Sequence, residues 1–276
     1  MSRISVAVLG SPIHHSLSPV LHAAAYEALG LTGWSNRTVE CTVDELGETM
    51  QALDAEGLAG VGLTMPLKRA VLPMLAGQDE RVRSTGAANT VLFGPDGWYG
   101  ANTDVPGMIA VLHGQGVSAA TAPEPPWVIG AGATAGSALA AVADLGWRSA
   151  TLVARRPEAT ADVRGVAQRV GVELDVRPWT EIGGSVEAAL VISTTPAGAT
   201  DEAAGVLTAA GGLLFDVIYV PWPTRFAAAW HERGGQIVGG LELLVEQAVE
   251  QVRLLTGRTP PVEVLRAAGY AALVAR

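Results

Sequence analysis

The sequence predicts an α/β chain of two domains, an N-terminal parallel-sheet domain followed by a doubly wound one. Three observations carry that prediction. Apolar runs of strand length alternate with helical stretches along the whole chain. One run, Pro126-Trp127-Val128-Ile129, breaks into Gly130, Ala131, Gly132, Ala133, Thr134 and Ala135, the G-x-G-x-x-A spacing of a phosphate-binding turn, and continues as an alanine-rich helix. With 276 residues the chain is long enough to build two cores.

The glycine turn is the organising stretch. Gly130 permits the sharp turn out of the strand, Gly132 lets a pyrophosphate approach the backbone, and Ala135 lets the helix pack close to its strand. The helix N-terminus offers N–H groups and a partial positive charge to phosphates. A chain with 33 glycines produces such spacings by chance, so the weight lies in context. A second apolar run, Ala150 to Ala154, follows one helix later and completes a βαβ unit.

Taken in order, Ile4 to Leu9 reads as a buried strand ended by Gly10, and Pro19 to Leu29 as a helix with Ser18 as N-cap, closed by Gly30. Thr38 to Thr42 reads as a second strand, Val43 to Ala55 as a helix capped near Asp44, and Leu58 to Thr64 as a third strand, together a parallel β-α-β-α-β unit. A helical stretch follows Pro66. Ala88 to Phe93 and Trp98 to Ala101 flank the hairpin signal Pro95-Asp96-Gly97, and a helix runs from Val105 to Gly114. The segment 116–126, with three prolines, has the weakest pattern and reads as the boundary between domains. Beyond it, strands are expected at Val128, Thr151, Glu173 to Val176, Ala189 to Ser193, Leu213 to Ile218 and Gln236 to Val238. A long helix, Leu241 to Thr256, is expected to return to the first domain, with Glu242, Glu246 and Glu250 as a solvated face. The expected domains are therefore 1–104 with 241–276 packed back on it, and 105–240.

Composition narrows the function classes. A formal charge of −9, with no segregated basic patch, disfavours a nucleic-acid partner. Cys41 is the only cysteine, so no internal disulfide forms, and a reducing, cytoplasmic setting is expected. No apolar stretch reaches membrane-spanning length, and the polar Gly10-Ser11-Pro12-Ile13-His14-His15 follows too soon for a signal peptide. The five histidines lack the paired spacing of a metal site, and no metal is predicted. Monomer and homodimer both stay open.

Several polar clusters fall at expected strand ends, the ligand face of a parallel sheet. Singly, each reads as an ordinary cap or turn. Their concurrence at one edge, in a fixed order, carries a resemblance. Gly10-Ser11-Pro12-Ile13 with His15-Ser16-Leu17-Ser18-Pro19 and His22, Leu63-Thr64-Met65-Pro66-Leu67-Lys68, Gly86-Ala87-Ala88-Asn89-Thr90-Val91 and Gly100-Ala101-Asn102-Thr103-Asp104 look like successive signatures of the shikimate dehydrogenase family. Asp216-Val217-Ile218-Tyr219 with Pro221 and Thr224, then Gly240-Leu241-Glu242-Leu243-Leu244-Val245-Glu246-Gln247, extend the match to the end of the chain.

That resemblance implies a substrate domain followed by a Rossmann-type NADP-binding domain, and NADPH-linked, reversible reduction of 3-dehydroshikimate to shikimate in aromatic amino-acid biosynthesis, with the active site in the cleft between domains. Carried over by position, Lys68 and Asp104 match the catalytic pair. Ser16, Ser18, Thr64, Asn89, Tyr219 and Gln247 match substrate contacts. Gly130 through Ala135, Thr194, Val217 and Gly240 match cofactor contacts. The chain departs from the family at Ala23 and Leu243, where Asn and Met are usual, and at Gly62-Leu63-Thr64, where Asn-Val-Thr is.

The chemistry agrees. A hydroxyl-rich substrate needs Ser, Thr, Asn and Gln to pair its polar groups, and hydride arrival at a ketone builds alkoxide charge that a lysine ammonium, held by a carboxylate, can neutralise. Where an acid at the end of the second strand would bind a ribose 2′-OH, this chain has Arg155 and Arg156, which suits a 2′-phosphate and predicts NADPH over NADH. The family often has Asn where Ala154 stands. The rival readings are a quinate/shikimate dehydrogenase using NAD and a non-catalytic nucleotide sensor of the same fold.

Overall fold

The computed structural model describes residues 4–186 and 188–276, which fall into two compact units, Met1–Gly107 with Leu244–Arg276, and Met108–Leu243. The chain leaves the first unit inside one helix and re-enters it inside another. The expected boundary in the proline-bearing segment 116–126 is therefore displaced into regular structure.

In the first unit the strands are β1 (Ser5–Gly10), β2 (Ser35–Glu40), β3 (Gly60–Leu63), β4 (Gly77–Gln78), β5 (Thr90–Gly94) and β6 (Gly97–Ala101), ordered β2-β1-β3-β5-β6-β4. The helices are α1 (Ser18–Ala28), α2 (Leu46–Ala55), α3 (Leu67–Ala70), α4 (Glu80–Thr85) and the start of α5 (Asp104–Gly114). β1 is parallel to β2 and β3, as the β-α-β-α-β reading requires. β5 is antiparallel to both β3 and β6, so this sheet is mixed rather than parallel throughout. The cause is local. After β3 the chain runs through α3, the two-residue β4 parallel to β6 at the far edge of the sheet, and α4, and it enters β5 from the end of the sheet where β3 stops. Register pairs of Gly62 with Thr90 and Thr90 with Ala101 place the start of β5 and the end of β6 at the edge where β3 ends. Leu9, Leu46, Met50, Leu63 and Val91 are buried in the core behind it.

The expected cap Ser18 is instead the first residue of α1: its N–H donates to Ser16 Oγ, and Leu17 holds the cap position without a side-chain cap bond. α2 begins at Leu46 with Glu45 at the cap position, next to Asp44 as expected, and the Glu45 carboxylate accepts from the Thr42 N–H and hydroxyl. The C-terminal stretch is two helices, α10 (Gly240–Thr256) and α11 (Val262–Val274), broken after Thr256 by Gly257 in the left-handed region and by Pro260-Pro261.

The second unit holds β7 (Trp127–Ile129), β8 (Ser149–Ala154), β9 (Glu173–Pro178), β11 (Leu190–Ser193), β13 (Leu213–Asp216) and β14 (Gln236–Gly239), with every neighbouring pair parallel and in the order β14-β13-β11-β7-β8-β9. That is the doubly wound 3-2-1-4-5-6 order. Its helices are α6 (Ala133–Asp144), α7 (Ala161–Val170), α8 (Asp201–Val206) and α9 (Arg225–Glu232). A small parallel pair, β10 (Gly184–Val186) and β12 (Leu207–Ala210), was not expected from the sequence. No described helix is long and apolar enough to cross a membrane.

Candidate active site

The mixed topology of the first sheet assembles the polar site. Lys68 lies in the short helix just after β3, Asn89 immediately before β5, and Asp104 just after β6 at the start of α5. Asn89 N–H donates to Ala101 O and Ala88 N–H to Lys68 O, which ties the three segments by backbone before any side chain is considered.

The side chains then close a buried network. Lys68 Nζ donates to Asp104 Oδ2 at 2.5 Å, with side-chain exposures of 15% and 6%. Asn89 Nδ2 donates to the other carboxylate oxygen, Asp104 Oδ1, at 2.8 Å and to Thr103 Oγ1 at 2.9 Å. Asn89 Oδ1 accepts from the Thr103 N–H at 2.8 Å. Gln247, although late in the chain, belongs to this unit. Its Oε1 lies 3.4 Å from both Asn89 Nδ2 and Thr103 Oγ1, and its Nε2 donates to Leu244 O. Asn102 supports the same corner, donating to Ala87 O and accepting from the Asp104 and Val105 N–H groups. A lysine held by a carboxylate that is itself held by an amide has a fixed direction, the arrangement that directed proton transfer would need.

Of the other expected substrate residues, Thr64, Ser16 and Ser18 follow neighbouring strands of the same unit. Thr64 follows β3 and donates its N–H to Leu9 O, while Ser11 N–H donates to Met65 O, joining the loops after β1 and β3. The loops are this close because Gly10 has no side chain: a Cβ there would lie 2.4 Å from Thr64 Cγ2. Ser16 sits on the loop after β1 and Ser18 opens α1, and Glu40 at the end of β2 holds that loop by accepting from Ser11 Oγ and Ile13 N–H. Those two donors keep the Glu40 carboxyl below its ordinary range.

In the second unit the expected cofactor residues gather at the C-terminal ends of adjacent strands. Gly130 takes φ +112°, and a Cβ on it would lie 2.6 Å from Thr194 Oγ1, so only glycine fits beside that threonine. Gly132 is the N-cap of α6, and a Cβ there meets nothing within 4 Å, so open space adjoins the N-terminus of that helix, which begins with Ala133, Thr134 and Ala135. Ala131 completes the turn, and Ala135 is fully buried where α6 meets its strand. Thr194 N–H donates to Ile129 O and Val217 N–H to Ser193 O, placing both loops at the switch point where strand order reverses. Gly240 N–H donates to Ile218 O, and a Cβ on Gly240 would collide with Val217 O. Tyr219 lies in the loop after β13. Arg155 and Arg156 are exposed just beyond β8. The open cradle, the helix N-terminus and the two exposed guanidiniums together fit a dinucleotide carrying a 2′-phosphate.

Four supporting residues were given no role by the sequence reading. Gln251, His22 and Thr103 are buried around Asn89, and Asp216 is buried under the loop bearing Val217 and Tyr219. Asp216 accepts from Thr224 Oγ and Ile218 N–H, and burial pushes its carboxyl above the ordinary range. Gln251 had a signal, since it lies one helical turn after Gln247 on the same face of α10. The glutamates of that helix are not an open solvated face: Glu246 and Glu250 are partly buried and ion-paired with Arg266 and Arg253.

Comparison with known proteins points to one family. A profile of the shikimate dehydrogenase substrate binding domain matches residues 8–91, and one of the shikimate 5′-dehydrogenase C-terminal domain matches 240–268. Shikimate dehydrogenase (NADP(+)) of Microcystis aeruginosa is 32% identical over 95% of this chain and 95% of its own. The Mycobacterium tuberculosis shikimate dehydrogenase crystal structure superposes with a TM-score of 0.84 at 37% identity, covering 97% of this chain and 99% of its own. Shikimate 5-dehydrogenase of Thermus thermophilus, solved in complex with NADP(H) and shikimate, superposes with a TM-score of 0.83 at 29% identity, covering 98% and 99%.

Proposed function

The chain belongs to the shikimate dehydrogenase family, and on that premise we propose that it catalyses the NADP-linked, reversible reduction of 3-dehydroshikimate to shikimate, a step toward chorismate and the aromatic amino acids. The observation that carries this reading is the buried Lys68–Asp104 pair with Asn89 on its second carboxylate oxygen. Lys68 protonates the substrate oxygen as hydride reaches the carbonyl carbon, and runs the same transfer backward in the oxidative direction. Asp104 aims the ammonium. Asn89 aims Asp104 and, with Ser16, Ser18, Thr64, Gln247 and Tyr219, pairs the carboxylate and hydroxyls of the substrate, so that no buried polar group on either side is left unpaired.

Gly130, Ala131, Gly132, Ala133, Thr134, Ala135, Thr194, Val217 and Gly240 would hold the cofactor, with Arg155 and Arg156 toward its 2′-phosphate. When bound, NADPH supplies the hydride. The proposed setting is cytoplasmic, with a small molecule and neither nucleic acid nor membrane as partner.

The test is an initial-rate assay of the purified protein with shikimate and with quinate, each with NADP+ and with NAD+. The reading expects the highest kcat/KM for shikimate with NADP+. Dominant NAD-linked quinate oxidation would replace it with the quinate reading, and nucleotide binding without turnover of any pair would replace it with a sensor.

A further inference from the structure

A continuous polar chain runs from Tyr26 to Asp104 inside the first unit, and each of its bonds has one workable direction. The carboxylate sets that direction because it can only accept. Asn89 must therefore turn Nδ2 toward Asp104 Oδ1, at 2.8 Å, which leaves Asn89 Oδ1 as the acceptor for the Thr90 hydroxyl at 3.1 Å. Thr90 Oγ1, its proton committed, accepts from Gln251 Nε2 at 3.0 Å, and the same amide nitrogen lies 3.3 Å from Asn89 O. Gln251 is thereby oriented with Oε1 toward His22 Nε2 at 3.3 Å, so that ring nitrogen carries the proton. His22 Nδ1 is then the acceptor for the Tyr26 hydroxyl at 3.0 Å. His22, Tyr26, Asn89, Thr90 and Gln251 are all at most 5% exposed, so water does not substitute for a missing partner.

We propose that His22 is a positioning residue for the Lys68–Asp104 pair, acting through Gln251 and Thr90 on the Asn89 amide. His22 touches neither member of the pair. It supplies a donor to Gln251 Oε1, which together with the Nε2 bonds to Thr90 and Asn89 O keeps the amide from turning over. Turned over, Gln251 would set its oxygen against Asn89 O and draw the Thr90 proton away from Asn89 Oδ1, loosening the amide that aims Asp104. Burial keeps the imidazole neutral, as the relay requires, by lowering its pKa to about 4. This inference rests on the proposed role of Lys68 and Asp104 as the acid–base pair.

Two measurements test it. In the first, kcat for shikimate oxidation is compared among wild type, His22→Phe, His22→Gln, Thr90→Val and the His22→Phe/Thr90→Val double variant. His22→Phe is expected to lose roughly five- to ten-fold in kcat, as coupled hydrogen-bond networks do. NADP+ affinity by calorimetry should stay within about two-fold, because the residues proposed to hold NADP lie in the other unit. His22→Gln, which restores an amide donor, should recover most of the loss, and the double variant should be no worse than about two-fold below the poorer single variant. A residue that merely fills space would instead lower the melting temperature and leave kcat within about two-fold. That result, or losses that multiply in the double variant, overturns the proposal.

The second measurement needs no variant and stands even if His22→Phe fails to fold. In the 15N-histidine NMR spectrum of the wild type, His22 should be the neutral Nε2–H tautomer at pH 7, and an Nδ1–H tautomer overturns the proposal. A wild type inactive on shikimate refutes the proposed activity and leaves the tautomer to decide this inference. An active wild type with an unaffected His22→Phe refutes this inference alone.

Discussion

Lys68→Ala separates the proposed proton-donor role of this side chain from its structural one. As the proposed proton donor, Lys68 acts mainly in the transition state, so its removal should lower kcat at least ~10²-fold, about 2.7 kcal/mol at ~1.36 kcal/mol per decade, with a smaller change in KM. As a structural partner, it neutralises a carboxylate that is only 6% exposed. Stripping one member from a buried ion pair costs about 3–5 kcal/mol when nothing replaces it. Here Asn89 still donates to Asp104 Oδ1 at 2.8 Å, and the 15% exposure of the lysine side chain lets water reach its place. A loss of about 2 kcal/mol is therefore expected, read as a lower denaturation midpoint. Lys68→Ala/Asp104→Ala removes the orphaned charge as well. It should recover at least half of the lost stability and none of the lost kcat, since stability depends on the pair being matched while turnover depends on the ammonium itself. Initial rates at saturating NADP+, beside urea unfolding of the same samples, provide both readouts. A folded Lys68→Ala enzyme with kcat within a few-fold of wild type refutes the mechanism.

Replacing Arg155 and Arg156 together by Ala should lower kcat/KM for NADP+ by roughly ten-fold or more and leave NAD+ nearly unchanged, since only the 2′-phosphate distinguishes the two; an unmoved NADP+/NAD+ ratio removes both residues from the cofactor site. Gln247→Ala should raise KM for shikimate about ten-fold and leave NADP+ affinity alone, because Gln247 meets Asn89 and Thr103 in the first unit; equal loss of both affinities by calorimetry indicates a displaced α10 instead. His22, lowered from 6.5 to about 4 by burial, makes stability depend on acid. Above pH 6.5 it is neutral in both folded and unfolded chains, and as pH falls toward 4 the unfolded chain alone takes the proton, so stability falls by up to about 3 kcal/mol through that window. His22→Gln should lose less between pH 7 and pH 4.5 than wild type does, and a parallel loss in both would show that His22 does not titrate this way.

The second unit was the more legible from sequence because its site is made by backbone. Gly130 must be glycine to take φ +112° beside Thr194, and an apolar strand must precede it, so composition and spacing expose the turn directly. In the first unit the strands and motifs were visible, but the direction of β5 was not. Nothing in Ala88 to Phe93 says whether the chain crosses the sheet or turns back, since an apolar run reads alike in either direction. That unread reversal brings Asn89 and Asp104 to Lys68. Gln251 and His22 stayed hidden because a polar residue on a helix reads as exposed until its burial is known, and theirs depends on α1, α10 and β5 meeting. Thr103 was read as part of a cap cluster, and its hydroxyl instead joins the Asn89–Gln247 network.

The two units thus meet opposite demands with different materials. A dinucleotide's phosphates carry charge whichever substrate is turned over, and a cradle of backbone N–H groups at a helix start serves them with small residues whose only requirement is to be absent from the space. Proton transfer needs one ammonium aimed at one atom, and a flexible lysine stem does not aim itself. In this chain the aim is set by successive acceptors and donors: Asp104 fixes Lys68, Asn89 fixes Asp104, and Thr103, Thr90 and Gln251 fix Asn89. Because the amide of Asn89 spends its nitrogen on the carboxylate and its oxygen on Thr103 and Thr90, no isosteric residue can replace it: aspartate lacks the donor and leucine lacks both groups. The proposed acid–base pair therefore depends for its aim on the neutral amide that links Asp104 to the core.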